Sequence, residues 1–370
     1  MSFELILPFF RPIEPLLLDE DVSEIMGNPD TSWSCEREGR LCQEPTISFD
    51  AGKLRTGLEV IANQLGKRLD EDNPRLHAQL PDGSRIAAWI PPLVSPAPAI
   101  AIRKFTSRNY TVDDLIARGT LTQAIADLLA EQIRSGKTLL ISGGTGTGKT
   151  TLLRILAKSI PENERILVIE DTPELQIRKP NIVAVGSQTT TFKTNVSFDD
   201  LLKDTLRFRP DRIILGEVRV SEARTLLDSF NTGHAGSLAT IHANSAEKAL
   251  RRFANLVMRS HAQTTFSDTE AEIGEAVDFV VHVGRQEGRR IVREVLALRG
   301  YDRDAKRFLI EPVFELQHAA AENTKRNDYC RRLPHQLSVE RLLDFTTYKG
   351  ERICHYLRST RAVTSVLLFG

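Results

Sequence analysis

The sequence predicts an α/β protein: a phosphate-loop domain with a mainly parallel sheet, preceded by a smaller α+β domain. Three observations carry that prediction. From about Tyr110 onward, short apolar runs alternate with helix-compatible stretches, the pattern of a parallel sheet covered by helices on both faces. Within that alternation, residues 143–151 read Gly-Gly-Thr-Gly-Thr-Gly-Lys-Thr-Thr and fit the loop pattern G-x-x-x-x-G-K-[ST]. Residues 1–100 lack both features and are broken repeatedly by turn signals.

In that first stretch the turns fall at Asn28-Pro29-Asp30, Pro81-Asp82-Gly83, Pro91-Pro92 and Pro96-Ala97-Pro98. The alternation in Arg85–Ile90 reads as a strand. Leu58, Ile61, Leu65 and Leu69 lie at helical spacing, so Leu54–Leu69 reads as an amphipathic helix. Residues 1–100 are therefore expected as the N-terminal domain, 101–109 as a linker and 110–316 as the second domain.

The second domain opens with a helix, Leu121–Arg134, with Gly136 placed to end it. Strand 138–142 and helix 149–159 flank the glycine loop. Strands 165–170 and 182–186, helix 198–208, strand 212–216, helix 221–231, strand 237–241 and helix 245–258 follow. Ser197 with Asp200 three residues later marks one helix start, and Gly233 marks a helix end. Residues 277–283, 290–298 and 308–316 are β-rich and read as a meander appended to the sheet. Residues 317–370 are rich in Arg and His without a clear period, an accessory tail to which no fold is assigned.

Composition narrows the class. At 370 residues, with ~150 per domain as a guide, the chain holds two or three domains. Hydrophobic content of 41% and charged content of 26% are those of a soluble globular protein. Lys+Arg and Asp+Glu both number 49, so no global field attracts nucleic acid or anionic lipid. Cys35, Cys42, Cys330 and Cys354 form no C-x-x-C pair, which indicates neither a zinc ribbon nor a disulfide framework. Pro8 and Pro12 interrupt the apolar N-terminus and Glu4 precedes it, unlike a signal peptide. No stretch approaches the ~20 apolar residues of a membrane span. The expectation is a soluble, intracellular protein.

The chemistry begins at the loop. Gly143, Gly144, Thr145, Gly146, Thr147 and Gly148 would turn backbone N–H groups onto phosphate oxygens, at a helix N-terminus that adds partial positive charge. Lys149 would reach the β- and γ-phosphates, Thr150 would offer its hydroxyl to Mg²⁺, and Thr151 completes the motif. Reading the segment as a plain flexible turn would make the Gly-Lys-Thr ending and both flanks a coincidence. Hydrolysis also needs acids, and two stand at strand ends. Glu170-Asp171 follows Ile166-Leu-Val-Ile, and Glu217 follows Arg212-Ile-Ile-Leu-Gly. One such acid alone is more simply a solvated carboxylate; two in order after a phosphate loop are not. Gly233–Asn244 carries His234 and His242 around a short apolar run. No third metal ligand lies nearby. A buried structural pair and a γ-phosphate sensor both remain open for these histidines.

The ordered set Gly143–Thr151, Glu170-Asp171, Leu206–Arg219 and Gly233–Asn244 resembles the Walker A, Asp, Walker B and His boxes of the secretion ATPase superfamily. It is most similar to the conjugal-transfer ATPases of the TrbB type, found in type IV secretion systems. The N-terminal phrases Val22–Pro29, Leu80–Ile86 and Ile102–Lys104 agree with that family, and the resemblance covers roughly residues 15–316. It implies a RecA-like core, ATP as substrate, Mg²⁺ as cofactor and a homo-hexameric ring with one site per subunit. The ring would serve inner-membrane components of a secretion or conjugation apparatus from the cytoplasmic side. In those terms Glu170 and Asp171 would support Mg²⁺, Glu217 would act on the attacking water, and His242 would sense the γ-phosphate. Arg207 and Arg219 are the motif arginines, and Arg103 would reach the nucleotide from the domain junction. Type II secretion ATPases share this core but often carry a four-cysteine zinc module, which is missing here. A helicase-like motor is disfavoured by the neutral charge and by the lack of an aromatic-basic platform. No sequence-specific nucleic-acid contact is expected.

Overall fold

The computed structural model describes residues 7–37, 39–80, 82–105, 110–171, 174–186, 196–260, 264–316, 341–348 and 351–358. Two sheets organise the chain. The first has six strands: β1 (Val22–Gly27), β2 (Trp33–Arg37), β3 (Arg40–Gln43), β4 (Arg75–Gln79), β5 (Arg85–Trp89) and β6 (Ala99–Arg103). Their order is β3-β2-β1-β6-β5-β4 and every pair is antiparallel. Two short helices, α1 (Leu7–Phe10) and α2 (Glu14–Leu18), precede them. A longer helix, α3 (Ala51–Gln64), starts where the Asp50 side chain accepts from the Lys53 amide. Leu58 and Ile61 of α3 pack with Ile25, Ile86 and Ile102 of the strands in one apolar core. β6 runs to Arg103, so the first residues of the expected linker are the end of a strand.

After α4 (Val112–Ala117) and α5 (Gln123–Arg134) comes the second sheet. Its strands are β7 (Leu139–Gly143), β8 (Ile166–Glu170), β9 (Ile182–Gly186), β10 (Arg212–Leu215), β11 (Leu238–His242), β12 (Phe279–Gln286), β13 (Arg289–Asp302) and β14 (Arg307–Glu315). The order is β14-β13-β12-β7-β11-β10-β8-β9. β12 and the strands from β7 to β9 run parallel, whereas β13 and β14 are antiparallel. The sheet is thus mixed, where a mainly parallel one with an appended meander was expected. The difference has a local cause: β12 turns directly into β13 at Glu287-Gly288, both at positive φ, and a tight hairpin can only return antiparallel.

Helices α6 (Lys149–Ala157), α7 (Phe198–Thr205), α8 (Ala223–Asn231), α9 (Ala246–Ser260) and α10 (Phe266–Ala276) cover this sheet. Alternation along β7 assigns its faces. Leu139 and Ile141 enter the core shared with α5 and α6, while Leu140 enters the core shared with α8 and α9. Ser197 and Asp200 form a full capping box at α7, and Gly136 at φ +77° follows the end of α5. Of the expected tail, only two paired strands, Arg341–Tyr348 and Glu351–Arg358, are described; the rest lies outside the described residues.

Candidate functional site

Parallel pairing brings the chemical residues together. Gly143 at the end of β7 lies opposite His242 at the end of β11 and opposite Val283 of β12. Leu215 of β10 pairs with Ala239 of β11 and with Ile169 of β8. Two backbone bonds then fix the segment beyond β10: Gly216 N donates to Ile169 O at 2.9 Å, and Val218 N donates to Thr240 O at 2.8 Å. Glu217 stands between them. Four strands therefore deliver the phosphate loop, Glu170, Glu217 and His242 to one edge of the sheet, where open α/β sheets bind ligands.

The loop closes on itself through side chains. Thr147 Oγ1 donates to Gly144 O at 2.9 Å, and Lys149 Nζ donates to the same carbonyl at 2.8 Å. Gly148 caps α6 in the left-handed conformation at φ +94°, which a side chain would make costly at the point where helix N–H groups must open. Lys149 is only 7% exposed. Burial pulls its ammonium down to about 8, against the opposing pull of Glu217.

A chain of polar contacts leads away from that ammonium. Lys149 Nζ lies 3.4 Å from His242 Nδ1, and His242 Nε2 lies 2.9 Å from Glu217 Oε1. A carboxylate accepts only, so the proton sits on Nε2 and Nδ1 offers its lone pair to the ammonium. Burial and the Lys149 charge hold His242 below its ordinary pKa, which keeps the ring neutral and suits that tautomer. Beyond it, Arg219 Nη2 lies 3.7 Å from Glu217 Oε2 and 3.3 Å from Asp171 Oδ2. The Arg219 guanidinium rests over the Phe198 ring at 5.6 Å. His234 stands apart, with Nδ1 3.3 Å from Ser229 O at the end of α8.

Glu170 is placed differently. It is 6% exposed, and its Oε1 accepts the amides of Glu174 at 3.0 Å and Leu175 at 2.9 Å. One oxygen thus ties the strand end to the chain that follows. Burial pushes the carboxyl up to about 7 despite those donors.

The first sheet lies across this edge and encloses a cavity of about 840 Å³ with it. Every residue from Thr145 to Thr151 lines it, with Glu170, Asp171, Glu217, Arg219 and His242. Arg103 and Arg85 enter from the first sheet, side by side on β6 and β5, and Arg103 also faces Glu24 of β1. Arg85 Nη2 pairs with Glu174 at 3.0 Å. Arg103 acts on both Lys149 and His242 by charge, lowering each. Lys104 also lines the cavity, with its ammonium donating to Leu16 O at 3.0 Å. Arg207 is outside the cavity, exposed and paired with Asp204 at 2.9 Å. The sequence reading missed Arg118, Arg154, Arg285 and Arg290, which also line the cavity. They come from α4, α6 and the β12–β13 hairpin, and no local pattern marks a residue that only the tertiary fold brings in.

The sequence pattern described as "Type II/IV secretion system protein" matches residues 10–332. The chain belongs to that family. It is 38% identical over 288 residues to the conjugal transfer protein TrbB of Rhizobium radiobacter, covering 76% of this chain and 85% of that protein. It is 31% identical to the type IV secretion system protein VirB11 of Bartonella quintana, covering 79% of this chain and 92% of that protein. Among solved structures, the pilus retraction motor PilT with bound ADP shares the fold, with a TM-score of 0.56 at 18% identity over 82% of this chain and 86% of that one.

The donors available suit a hard cation better than a soft one. Thr150, Asp171, Glu170 and Glu217 offer oxygen at the cavity, which is what Mg²⁺ takes when most of its shell is phosphate and water. Among the described residues no group of three His, Cys, Asp or Glu side chains is gathered to hold a metal by itself, nor is any helix long and apolar enough to cross a membrane.

Glu170 makes stability depend on pH in a stated direction. Its folded pKa is raised from 4.5 to about 7, so the stability it contributes is full below about 4.5 and lost as pH rises through about 7. Glu170→Gln keeps an acceptor for both amides and cannot ionise. The melting temperature of the variant should therefore gain on that of the parent between about pH 5 and pH 8. A difference that stays constant across that range would show that Glu170 ionises as an ordinary carboxyl.

Proposed function

We propose that this chain is the ATP-hydrolysing motor of a type IV secretion or conjugal transfer apparatus. The observation that carries the reading is the chain Lys149–His242–Glu217 at the end of a phosphate loop, in a family whose relatives include TrbB and VirB11. In this reading residues 1–100 and 110–316 are two domains joined by 101–109, the second RecA-like, and the nucleotide lies between them. The motor works as a homo-hexamer in the cytoplasm, held at the inner membrane by components of the apparatus.

Gly143, Gly144, Thr145, Gly146, Thr147 and Gly148 turn amides toward the phosphates, and Thr150 and Thr151 continue that row into α6. Lys149 leaves Gly144 O for the β- and γ-phosphates, exchanging a neutral acceptor for an anionic one. Thr150, with support from Asp171 and Glu170, would hold Mg²⁺, which would supply charge neutralisation at the phosphates. Glu217 accepts a proton from the attacking water. The neutral His242 ring donates to Glu217 through Nε2–H, orienting that carboxylate. It reads the γ-phosphate through Lys149, whose position depends on what the phosphate loop holds. Arg219 fixes the far oxygen of Glu217 and ties it to Asp171. Arg103 brings a positive charge from the first domain to the γ-phosphate. Arg207, exposed on the outer surface, is available to a neighbouring subunit of the ring.

Lys149→Ala should abolish turnover and weaken nucleotide binding, because a fixed counter-charge is lost. Glu217→Gln should keep binding and lose turnover by ~10²–10⁴-fold, the usual range for a removed general base. Steady-state hydrolysis and equilibrium binding of a non-hydrolysable ATP analogue measure the two effects. Near-normal turnover by Glu217→Gln would move the base role to Glu170.

Arg103→Ala should leave folding intact and lower turnover by ~10³-fold, as for an arginine that acts on developing charge. A variant that turns over like the parent makes Arg103 a bystander and Arg85 the next residue to examine.

A further inference from the structure

The β12–β13 hairpin reaches over the phosphate loop and touches the first sheet with the same side chain. Arg285, near the end of β12, donates from Nη2 to Gly146 O at 3.1 Å and to Glu36 Oε1 at 3.2 Å. Its Nη1 donates to Gly39 O at 3.4 Å. Gly146 is the apex of the phosphate loop, while Glu36 and Gly39 belong to β2 and the turn after it. Ser23 Oγ, on β1, donates to Glu36 Oε1 at 3.1 Å and holds that carboxylate in place. Arg290, across the hairpin, approaches the same oxygen at 3.8 Å.

Gly146 takes a left-handed backbone conformation that favours glycine. A Cβ there would lie 2.8 Å from Arg285 Nη2, and the residue sits at φ +68°. The contact also sets the loop amides. In a planar trans peptide the carbonyl and the next N–H point opposite ways, so fixing Gly146 O fixes the direction of Thr147 N–H. Both hydrogens of Nη2 are in use, whereas Nε is buried with no hydrogen-bond partner among the described residues. The guanidinium is thus shared between the loop and one carboxylate, with a donor in reserve.

We infer that Arg285 is a positioning residue for the phosphate loop and that Glu36 is its internal counter-ion, which nucleotide phosphate displaces on binding. The inference rests on the nucleotide reading given above and adds a route between the sheets. When phosphate competes for Arg285, the first sheet loses its hold at Glu36 and is released to settle on the nucleotide through Arg103. Removing the carboxylate removes the competitor. Removing the guanidinium loosens the loop.

The two changes should therefore move affinity in opposite directions, which a merely structural ion pair would not do. Binding of a non-hydrolysable ATP analogue should tighten about two- to fivefold in Glu36→Gln, the worth of one partly exposed ion pair, and weaken in Arg285→Gln. In the Arg285→Gln background the gain from Glu36→Gln should shrink, because Glu36 acts through Arg285. Thermal unfolding checks that each variant is folded. Should Arg285→Gln not fold, Arg285→Lys keeps the charge without the fork and should weaken binding in the same direction. Loss of affinity in both single variants, no change in Glu36→Gln, or an equal gain in both backgrounds overturns the inference. A parent that fails to bind the analogue overturns the nucleotide reading and this inference with it. A parent that binds while Glu36→Gln does not tighten binding overturns this inference alone.

Discussion

One ammonium, Lys149, is buried at the end of the central strand, and much of the site is arranged around that charge. Taking a cation out of water is costly unless polar groups replace the solvent. Here a loop carbonyl and a neutral imidazole touch it, and the carboxylate of Glu217 stands one group further on. No local segment supplies all three. The carbonyl comes from the loop after β7, the imidazole from the end of β11 and the carboxylate from beyond β10, and only their parallel registration makes the ends coincide.

The same logic extends to the cavity as a whole. Arg85 and Arg103 lie directly opposite on neighbouring antiparallel strands, an arrangement of like charges that costs stability unless something offsets it. Glu174 pairs with one of them, and Glu36 gathers Arg285 and Arg290 from the facing hairpin. The cations thus converge from both sheets on the space beside the phosphate loop. A polyanion bound there would relieve repulsion that the chain now holds with its own carboxylates, and relief of that kind is what lets binding at one sheet be felt at the other.

Much of this was legible in the sequence, for identifiable reasons. The apolar runs that became β7, β8, β10 and β11 are buried along nearly their whole length and so read as unbroken hydrophobic stretches. The caps at Ser197 and Gly136 are local chemistry and were visible as such. The short helices were not: α4 has six residues and α2 has five, too few for a period to show. The weakly patterned α10 also escaped, as did the strands at the outer edge of the first sheet, where β3 is mostly exposed. In the site, Lys149, Glu217 and His242 could be named because each sits in a spaced motif. Arg285 and Arg290 could not, because a hairpin far along the chain delivers them. The role of Glu170 was only half legible: its place at a strand end is a sequence property, but its two backbone donors are not.

The site is built on the buried ammonium, so the most direct measurement is the pH dependence of nucleotide affinity. With the free-state pKa of Lys149 at about 8, the affinity of a non-hydrolysable ATP analogue should show no break from this group below that pH. Above it, binding must take up a proton, and affinity should fall by up to about tenfold per pH unit. A lysine in water would delay that break to about 10.5. A fall beginning at about 8 supports the buried charge as the centre of the site. An affinity that stays flat to pH values near 10.5 would contradict it.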